Sequence, residues 1–501
     1  MRLKYLYGAS VQGIQGFIFE TNKLKEIAGA SELVEQICTS FFKAENPNFQ
    51  KENLIVRAAG NIKYVFDDIN DCQHFVRKFP KQVTQKAAGI TISQAVVEYD
   101  GVLESTHIEE LEKRLRVQRN KPIVQHGMGL MITERSRRTG KSGVVWDGKD
   151  VIDAAQKNKR PFSENAKNNL LKKLLGQETP FKSHQFPHDI ADIVQKKDQE
   201  WIAVVHADGN NLGKLILEMS TKLAPQKTKS AFKEFSTRLE NATIASAAEA
   251  FDKVVREKAL KLRHLPIRPV ILGGDDLTII IRGDLALDYT HHYLEAFERN
   301  TKAEFSEFGK KYGLTDFDNG LTACAGIAYI KPTYPFHYGV NLSEELCKHS
   351  KNIAKEINSN KTPSCITFHQ VLSSFIDNYK DIVEQELSAK DIRFDYGPYF
   401  IHEEKGFATV KDLKEWSRII QKEGAPKSPL RNWLGSLQVN EKKASQELER
   451  IRNLNPRYIN SLGLKEPFPI RVEKSKNKAY RYTHLFDVLR LSTIEKVKAQ
   501  P

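Results

Sequence analysis

Cysteine is scarce: Cys38, Cys72, Cys324, Cys347 and Cys365 are the only five in 501 residues, and no C-x-x-C pair occurs. That excludes a disulfide framework and a four-cysteine zinc site, and leaves the cysteines as small core residues. Long apolar runs are missing too. None approaches the roughly 20 residues that a bilayer span needs. Residues Met1–Tyr5 open no apolar stretch of the signal-peptide kind, so a cytoplasmic location is expected. Gly140-Lys141-Ser142 ends like a phosphate-binding loop, but Arg135 stands where its first glycine is needed. No serine or cysteine sits in a nucleophile elbow. What the chain does have is charge, 77 Lys+Arg against 63 Asp+Glu, a net +14. With 28% charged and 40% hydrophobic residues it reads as globular, of roughly three domains, with an anionic partner such as a nucleotide or nucleic acid.

Periodicity gives an α+β organisation. Leu3–Ala9 reads as a strand, Gly13–Ser40 as one helix, Asn53–Phe66 as a hairpin, Asp71–Ala87 as a helix, Ile90–Tyr99 as a strand and Glu104–Arg116 as a helix. The order recurs: strand Trp201–Ala207, helices to about Arg263, strands Ile267–Leu272 and Leu277–Arg282, helix Asp284–Tyr312, strand Leu321–Ile330 and helix Ser343–Asn358. Two βαββαβ units, each an antiparallel sheet with helices on one face, are the simplest account. The expected divisions are 1–120, a first unit; 121–195, an irregular basic insert; 196–376, a second unit; and 377–501, a helical module. The insert clusters Arg135, Arg137, Arg138 and Lys141. The tail from Arg471 interleaves Lys474, Lys476, Lys478 and Arg481 with Tyr480 and Tyr482, and ends Lys496-Val497-Lys498. Such a pattern suits either a nucleic acid or a solvated helical face.

Chemistry concentrates in the second unit. The strand Ile202–Ala207 feeds Asp208 into the turn Gly209-Asn210-Asn211-Leu212 before a helix, and Gly273-Gly274-Asp275-Asp276 forms a hairpin tip between buried strands. In a βαββαβ sheet these strands are neighbours, so Asp208 and Asp275 converge. Two such charges about 4 Å apart repel by roughly 4 kcal/mol at an effective dielectric of 20. Divalent cations resolve that conflict, and oxygen ligands suit Mg²⁺ or Mn²⁺. Two ions could activate a 3′-hydroxyl and stabilise a leaving pyrophosphate. The turn Gly209–Leu212 opens a helix N-terminus that favours a triphosphate, and Gly273 and Gly274 allow close approach of substrate. Aligning the two units sets Asp208 against Ser10, and Gly273–Asp276 against Ala58-Ala59-Gly60-Asn61. The first unit lacks the carboxylates, so one catalytic site per chain is expected. His206 is expected to be a core or supporting residue.

These motifs resemble the palm-domain CRISPR polymerase family, the large subunit of type III effector complexes. Val11-Gln12-Gly13-Ile14-Gln15-Gly16-Phe17-Ile18 and Ala28-Gly29-Ala30-Ser31 look like its first palm. Asp208-Gly209-Asn210 and Gly273-Gly274-Asp275-Asp276 look like its second. Cys324–Ala328, Tyr334-Pro335 and Ser350-Lys351 look like the strand and lysine-bearing helix that follow. The resemblance implies two ferredoxin-like palms plus a helical C-terminal domain, and a cyclase that joins ATP into cyclic or linear oligonucleotides in antiviral defence. It implies metal at Asp208, Asp275 and Asp276, with Ala207 among the metal positions. Lys351 would contact triphosphate and Ser31 would lie near a second ATP. Candidate partners are nucleoside triphosphates, RNA, effector subunits and a second copy of the chain.

Two family features find no counterpart in the sequence. The first palm starts within ten residues of Met1, where larger members carry an HD nuclease, and His188-Asp189 is expected to be structural. Thr133–Gly140 occupies the place of an inserted zinc module without cysteines. Metal-dependent DNA cutting is therefore not expected. The rival readings are a cyclic dinucleotide or mononucleotide cyclase and a non-catalytic nucleotide- or RNA-binding scaffold.

Overall fold

The computed structural model describes residues 3–58, 60–121, 132–165, 169–176, 179–195, 201–372, 378–464, 471–475 and 478–495. Strands β1 (Leu3–Gln12), β2 (Leu54–Ala58), β3 (Asn61–Phe66) and β4 (Thr91–Asp100) form an antiparallel sheet in the order β2-β3-β1-β4. Helices Leu24–Gln36, Ile69–Lys86 and Ser105–Arg119 accompany it. This is the first palm. A hairpin of β5 (Gly143–Trp146) and β6 (Val151–Asp153) follows, then the helix Ala154–Asn165.

The second palm repeats the order. β7 (Ile202–Gly209), β8 (Ile267–Gly273), β9 (Asp276–Arg282) and β10 (Ala323–Ile330) stand as β10-β7-β9-β8, extended beyond β10 by β11 (Cys365–Gln370). Downstream come β12 (Ser388–Ala389), β13 (Ile392–Arg393) and β14 (Tyr399–Phe400), and β14 adds the sixth strand beside β11. Helices Val410–Gln421, Lys427–Val439, Glu441–Leu454 and Leu485–Ile494 make the C-terminal part mainly helical. The two-palm α+β architecture is therefore as expected from the sequence. Residues 196, 376 and 377, where the expected divisions fall, lie outside the described residues.

Alternation along β7 explains how the palms join. Ala203, Val205 and Ala207 enter a core with the long helices Pro225–Val254 and Gly283–Tyr312. Ile202 and Val204 point the other way, into a core shared with Tyr5, Tyr7 and Ala9 of β1. A strand buried on both faces needs an unbroken apolar run, and Ile202–Val205 supplies one. A polar seam adds to the contact, because the Ser31 hydroxyl donates to the Val270 carbonyl of β8.

Three details depart from the sequence reading. The stretch Gly13–Ser40 is not one helix. It breaks into Ile14–Ile18, Leu24–Gln36 and a π-turn at Ile37–Phe41, because Thr21 turns back to bond Glu26 (2.7 Å) and the Lys23 amide (3.1 Å). The insert is ordered rather than irregular over its described part. Its cations serve internal pairs: Arg138 and Arg160 meet the buried Glu26 at 3.2 and 3.3 Å, and Lys141 pairs with Glu20. The C-terminal part also holds a small sheet, β12-β13-β16-β15, completed by β15 (Arg471–Ser475) and β16 (Lys478–Tyr482). Arg481 there binds Asp391 (2.9 Å) and Glu441 (3.1 Å), and Arg393 lies over the rings of Tyr480 and Tyr482. This part of the aromatic-basic pattern therefore has an intramolecular use. Lys476 and Lys496–Lys498 lie outside the described residues.

The helix Phe336–Ile357 packs unusually close on β10. A Cβ at Gly326 would lie 2.0 Å from the Ser343 carbonyl oxygen and 2.5 Å from the Cys347 nitrogen. Gly326→Ala should therefore lower stability by about 1–3 kcal/mol, the usual cost of overpacking. Denaturant unfolding measures this, and an unchanged midpoint would contradict the close packing.

Candidate active site

Antiparallel registry builds the site. β7 and β9 pair Asp208 with Asp276, the last pair at the end of the strands, and Asp275 occupies the hairpin tip beyond it. The three carboxylates offer oxygens within 4.8 Å of one another. Gly209 is small for a reason: a Cβ there would sit 2.9 Å from Asp275 Cβ. Gly274 takes φ 63°, a left-handed turn, and its carbonyl accepts from Thr243 (2.6 Å). Thr243 thus ties the tip to the helix Pro225–Val254.

Like charges so close raise one another's proton affinity. Burial, then Asp208, pushes Asp275 up to about 6. Burial, then Asp275 and Asp208, pushes Asp276 up to about 8. Lys351, from the helix Phe336–Ile357, counters this by donating to the Asp208 carboxylate and to the Gly209 carbonyl (2.8 Å). The family resemblance implies that Lys351 contacts triphosphate; in this structure its ammonium stands beside Asp208.

The remaining predicted residues cluster around this edge with distinct jobs. Asn210 is buried and donates to Thr322 Oγ1 (3.0 Å) and Cys324 Sγ (3.4 Å). Asn211 has φ 62° and precedes the helix that starts at Leu212. Ala207 has its side chain fully buried, so only its main chain could face a metal. Ser31 and Gly273 line a cleft of about 360 Å³ that Asp276 also borders, together with Gly13, Gln15 and Gly60 of the first palm. Residues of both palms thus line one cleft.

Other expectations also find their positions. Ser10 pairs with Asn61 across β1 and β3, the registry that Asp208 and Asp276 hold across β7 and β9. Ala58 pairs with Asn61 as Gly273 pairs with Asp276. His206 lies within the sheet, meets Thr278 Oγ1 at 3.0 Å, and is held neutral by burial, its pKa pushed down to about 4. Asp189 caps the short helix Ile190–Val194, and Asp192 accepts from the amides of His188 and Asp189, both at 2.9 Å.

Two features escaped the sequence reading. Cys324 stands opposite Asp208 in the registry, 3.6 Å from Cys365 Sγ, while Cys347 donates to the Cys324 carbonyl. Glu344, half-buried on the lysine-bearing helix and near Gln15 of the first palm, is pushed up to about 7 by burial. Only tertiary pairing brings these residues to the site; neither forms a local motif.

Residues 201–360 match the family described as Cas10/Cmr2, second palm domain. No curated protein matches the sequence. Among solved structures, a chain of the Csm1–Csm4 cassette in complex with one ATP matches at 13% identity, covering 99% of this chain and 70% of that one, with a TM-score of 0.56. The cassette in complex with pppApApA matches at 12% over 98% and 70% (TM-score 0.55), and the cassette with cA3 at 13% over 99% and 70% (TM-score 0.54). Identities this low speak for the fold. The chain is thus a two-palm α+β protein. Residues 201–360 form a second palm of the Cas10/Cmr2 type, and the overall fold resembles that of the matched chain of the Csm1–Csm4 cassette.

The raised acids set a pH dependence. An unfolded aspartate ionises near 3.9, so the folded state loses stability as pH climbs from about 4 towards 8. With chelator present, Asp276→Asn should stabilise the protein at pH 8 by at least about 1 kcal/mol. The gain should shrink at pH 5. Urea midpoints of the variant and the parent at both pH values measure this, and an equal gain at both would refute the assignment.

Proposed function

We propose that the protein is a metal-dependent nucleotidyltransferase that joins ATP into cyclic or linear oligonucleotides. The observation that carries this is the triad Asp208, Asp275 and Asp276, set at the edge of a Cas10/Cmr2-type palm and bordering a cleft lined by both palms. An all-oxygen donor set of three carboxylates fits Mg²⁺ or Mn²⁺. Bound there, two such ions would activate a 3′-hydroxyl and neutralise the departing pyrophosphate.

The chain's own residues supply the rest. Asp208, Asp275 and Asp276 deprotonate to hold the cations, and Ala207 contributes only its main chain. Lys351 exchanges its carboxylate partner for triphosphate oxygens. The turn Gly209–Leu212 presents the start of a helix to the phosphates, with Asn210 and Asn211 fixing its shape. Gly273 and Gly274 let the nucleotide approach the backbone. Ser31 borders the half of the cleft where a second ATP supplies the attacking hydroxyl. The roughly 360 Å³ of the cleft is within the range of small-ligand sites.

The matched cassettes were crystallised with ATP, pppApApA and cA3, which favours adenine nucleotides and oligomeric products over a mononucleotide cyclase. By the same likeness, the physiological setting is a cytoplasmic type III effector complex with a Csm4-like partner. Among the described residues no helix is long and apolar enough to cross a membrane.

The test is incubation with ATP and Mg²⁺ or Mn²⁺, alone and with effector subunits and target RNA, followed by mass spectrometry. Oligoadenylates and pyrophosphate are expected, with at least a hundredfold loss in Asp275→Asn/Asp276→Asn. Equal pyrophosphate from that variant would refute the assignment. Turnover to a dinucleotide or 3′,5′-cyclic AMP alone would favour the rival cyclases.

A further inference from the structure

A second group of ligating side chains lies away from the aspartates, on the helix Gly283–Tyr312. His291, His292 and Glu295 bring ligand atoms within 4.8 Å of one another. His292 Nδ1 stands 3.0 Å from Glu295 Oε2, and His291 Nε2 stands 3.4 Å from Glu295 Oε1. Neighbouring ligand atoms around a tetrahedral ion with bonds of about 2.0–2.1 Å are roughly 3.3 Å apart. Each histidine–carboxylate spacing is therefore close to the distance between neighbouring ligands of one ion.

His291 supplies an independent observation. It is only 4% exposed, and among the described residues neither ring nitrogen has a hydrogen-bond partner. Its contact with Glu295 lies within ion-pair range but outside hydrogen-bond geometry. A buried polar group without a partner costs about 1–3 kcal/mol. The two imidazoles lie nearly parallel, 18° apart with centroids 5.2 Å apart.

We propose that His291, His292 and Glu295 form a transition-metal site of the zinc class, separate from the aspartate centre. Two imidazoles and one carboxylate suit Zn²⁺ or Co²⁺ rather than Mg²⁺, which takes oxygen ligands. Three protein ligands leave the fourth position to water or an incoming group. Charge around the group is balanced: Lys253 and Lys414 act on it, and Asp288 pairs with Lys414. Lys414 belongs to the helix Val410–Gln421, so an ion here lies where the second palm's long helix meets the C-terminal helices. Its role is to stiffen that junction. The aspartates lie at the other end of β9 from Gly283, where this helix starts, and none of them belongs to the group.

Co²⁺ is the probe, because its visible bands report nitrogen ligation and tetrahedral geometry. Metal-stripped full-length protein, with Mg²⁺ in excess to saturate carboxylate sites, is titrated with Co²⁺. One equivalent should bind with visible bands. Affinity should fall at least tenfold in His292→Ala and in Glu295→Gln, and stay unchanged in Asp275→Asn/Asp276→Asn. Zn²⁺ should displace Co²⁺ and raise the thermal midpoint of the parent, but not of His292→Ala. His292 is only partly buried, and circular dichroism checks that each variant is folded. Absent bands in the folded parent, bands that survive both site variants, or bands lost with the aspartates would each overturn the proposal.

Discussion

Three carboxylates within 4.8 Å of one another are the constraint on which the rest of the structure turns. Left to themselves they would separate or take up protons, and the rise of Asp275 and Asp276 records that tension. The fold holds them by rigid means. Strand registry fixes Asp208 and Asp276 opposite each other, Gly209 leaves room for Asp275, and Thr243 pins the hairpin tip. Among the described residues the cation bonded to them is Lys351, and its helix is seated against the sheet by the absent side chain of Gly326. Strain of this kind is stored where function needs it and offset by packing elsewhere.

The first palm shows what happens when the same frame carries no charge. Ser10 and Asn61 occupy the registry of Asp208 and Asp276. With neutral groups there, the first palm can press its Gly13–Ile18 segment against the cleft without bringing a second set of acids towards the first. Its helix Leu24–Gln36 then serves as a wall: Ser31 meets β8, and the buried Glu26 anchors the insert through Arg138 and Arg160. Much of the positive charge of the insert is thus spent on holding that wall.

Legibility in the sequence followed from locality. The palms could be read because β7, β9 and β10 are dense in Val, Ile and Ala, and because glycine-aspartate turns punctuate them. The alignment of Ser10 with Asp208 succeeded because the duplicated strands keep their registry. The break in Gly13–Ser40 was hidden: Thr21 and Glu26 end one helix and start another through side-chain bonds that mimic no breaker residue. The small C-terminal sheet was hidden because β13 and β16 pair across about ninety residues of chain, and short strands of two residues carry no period. The cysteine group behind Asp208 is a product of tertiary pairing alone.

The core shared by β1 and β7 has a consequence for control. Both walls of the cleft belong to one polypeptide and are joined through a common apolar interior, so each presents itself to the other at a fixed effective concentration. Dilution cannot pull them apart, and raising the amount of protein cannot bring them together. Whatever governs occupancy of the cleft must act on its shape or on its charge, because the meeting of its two halves is settled when the chain folds.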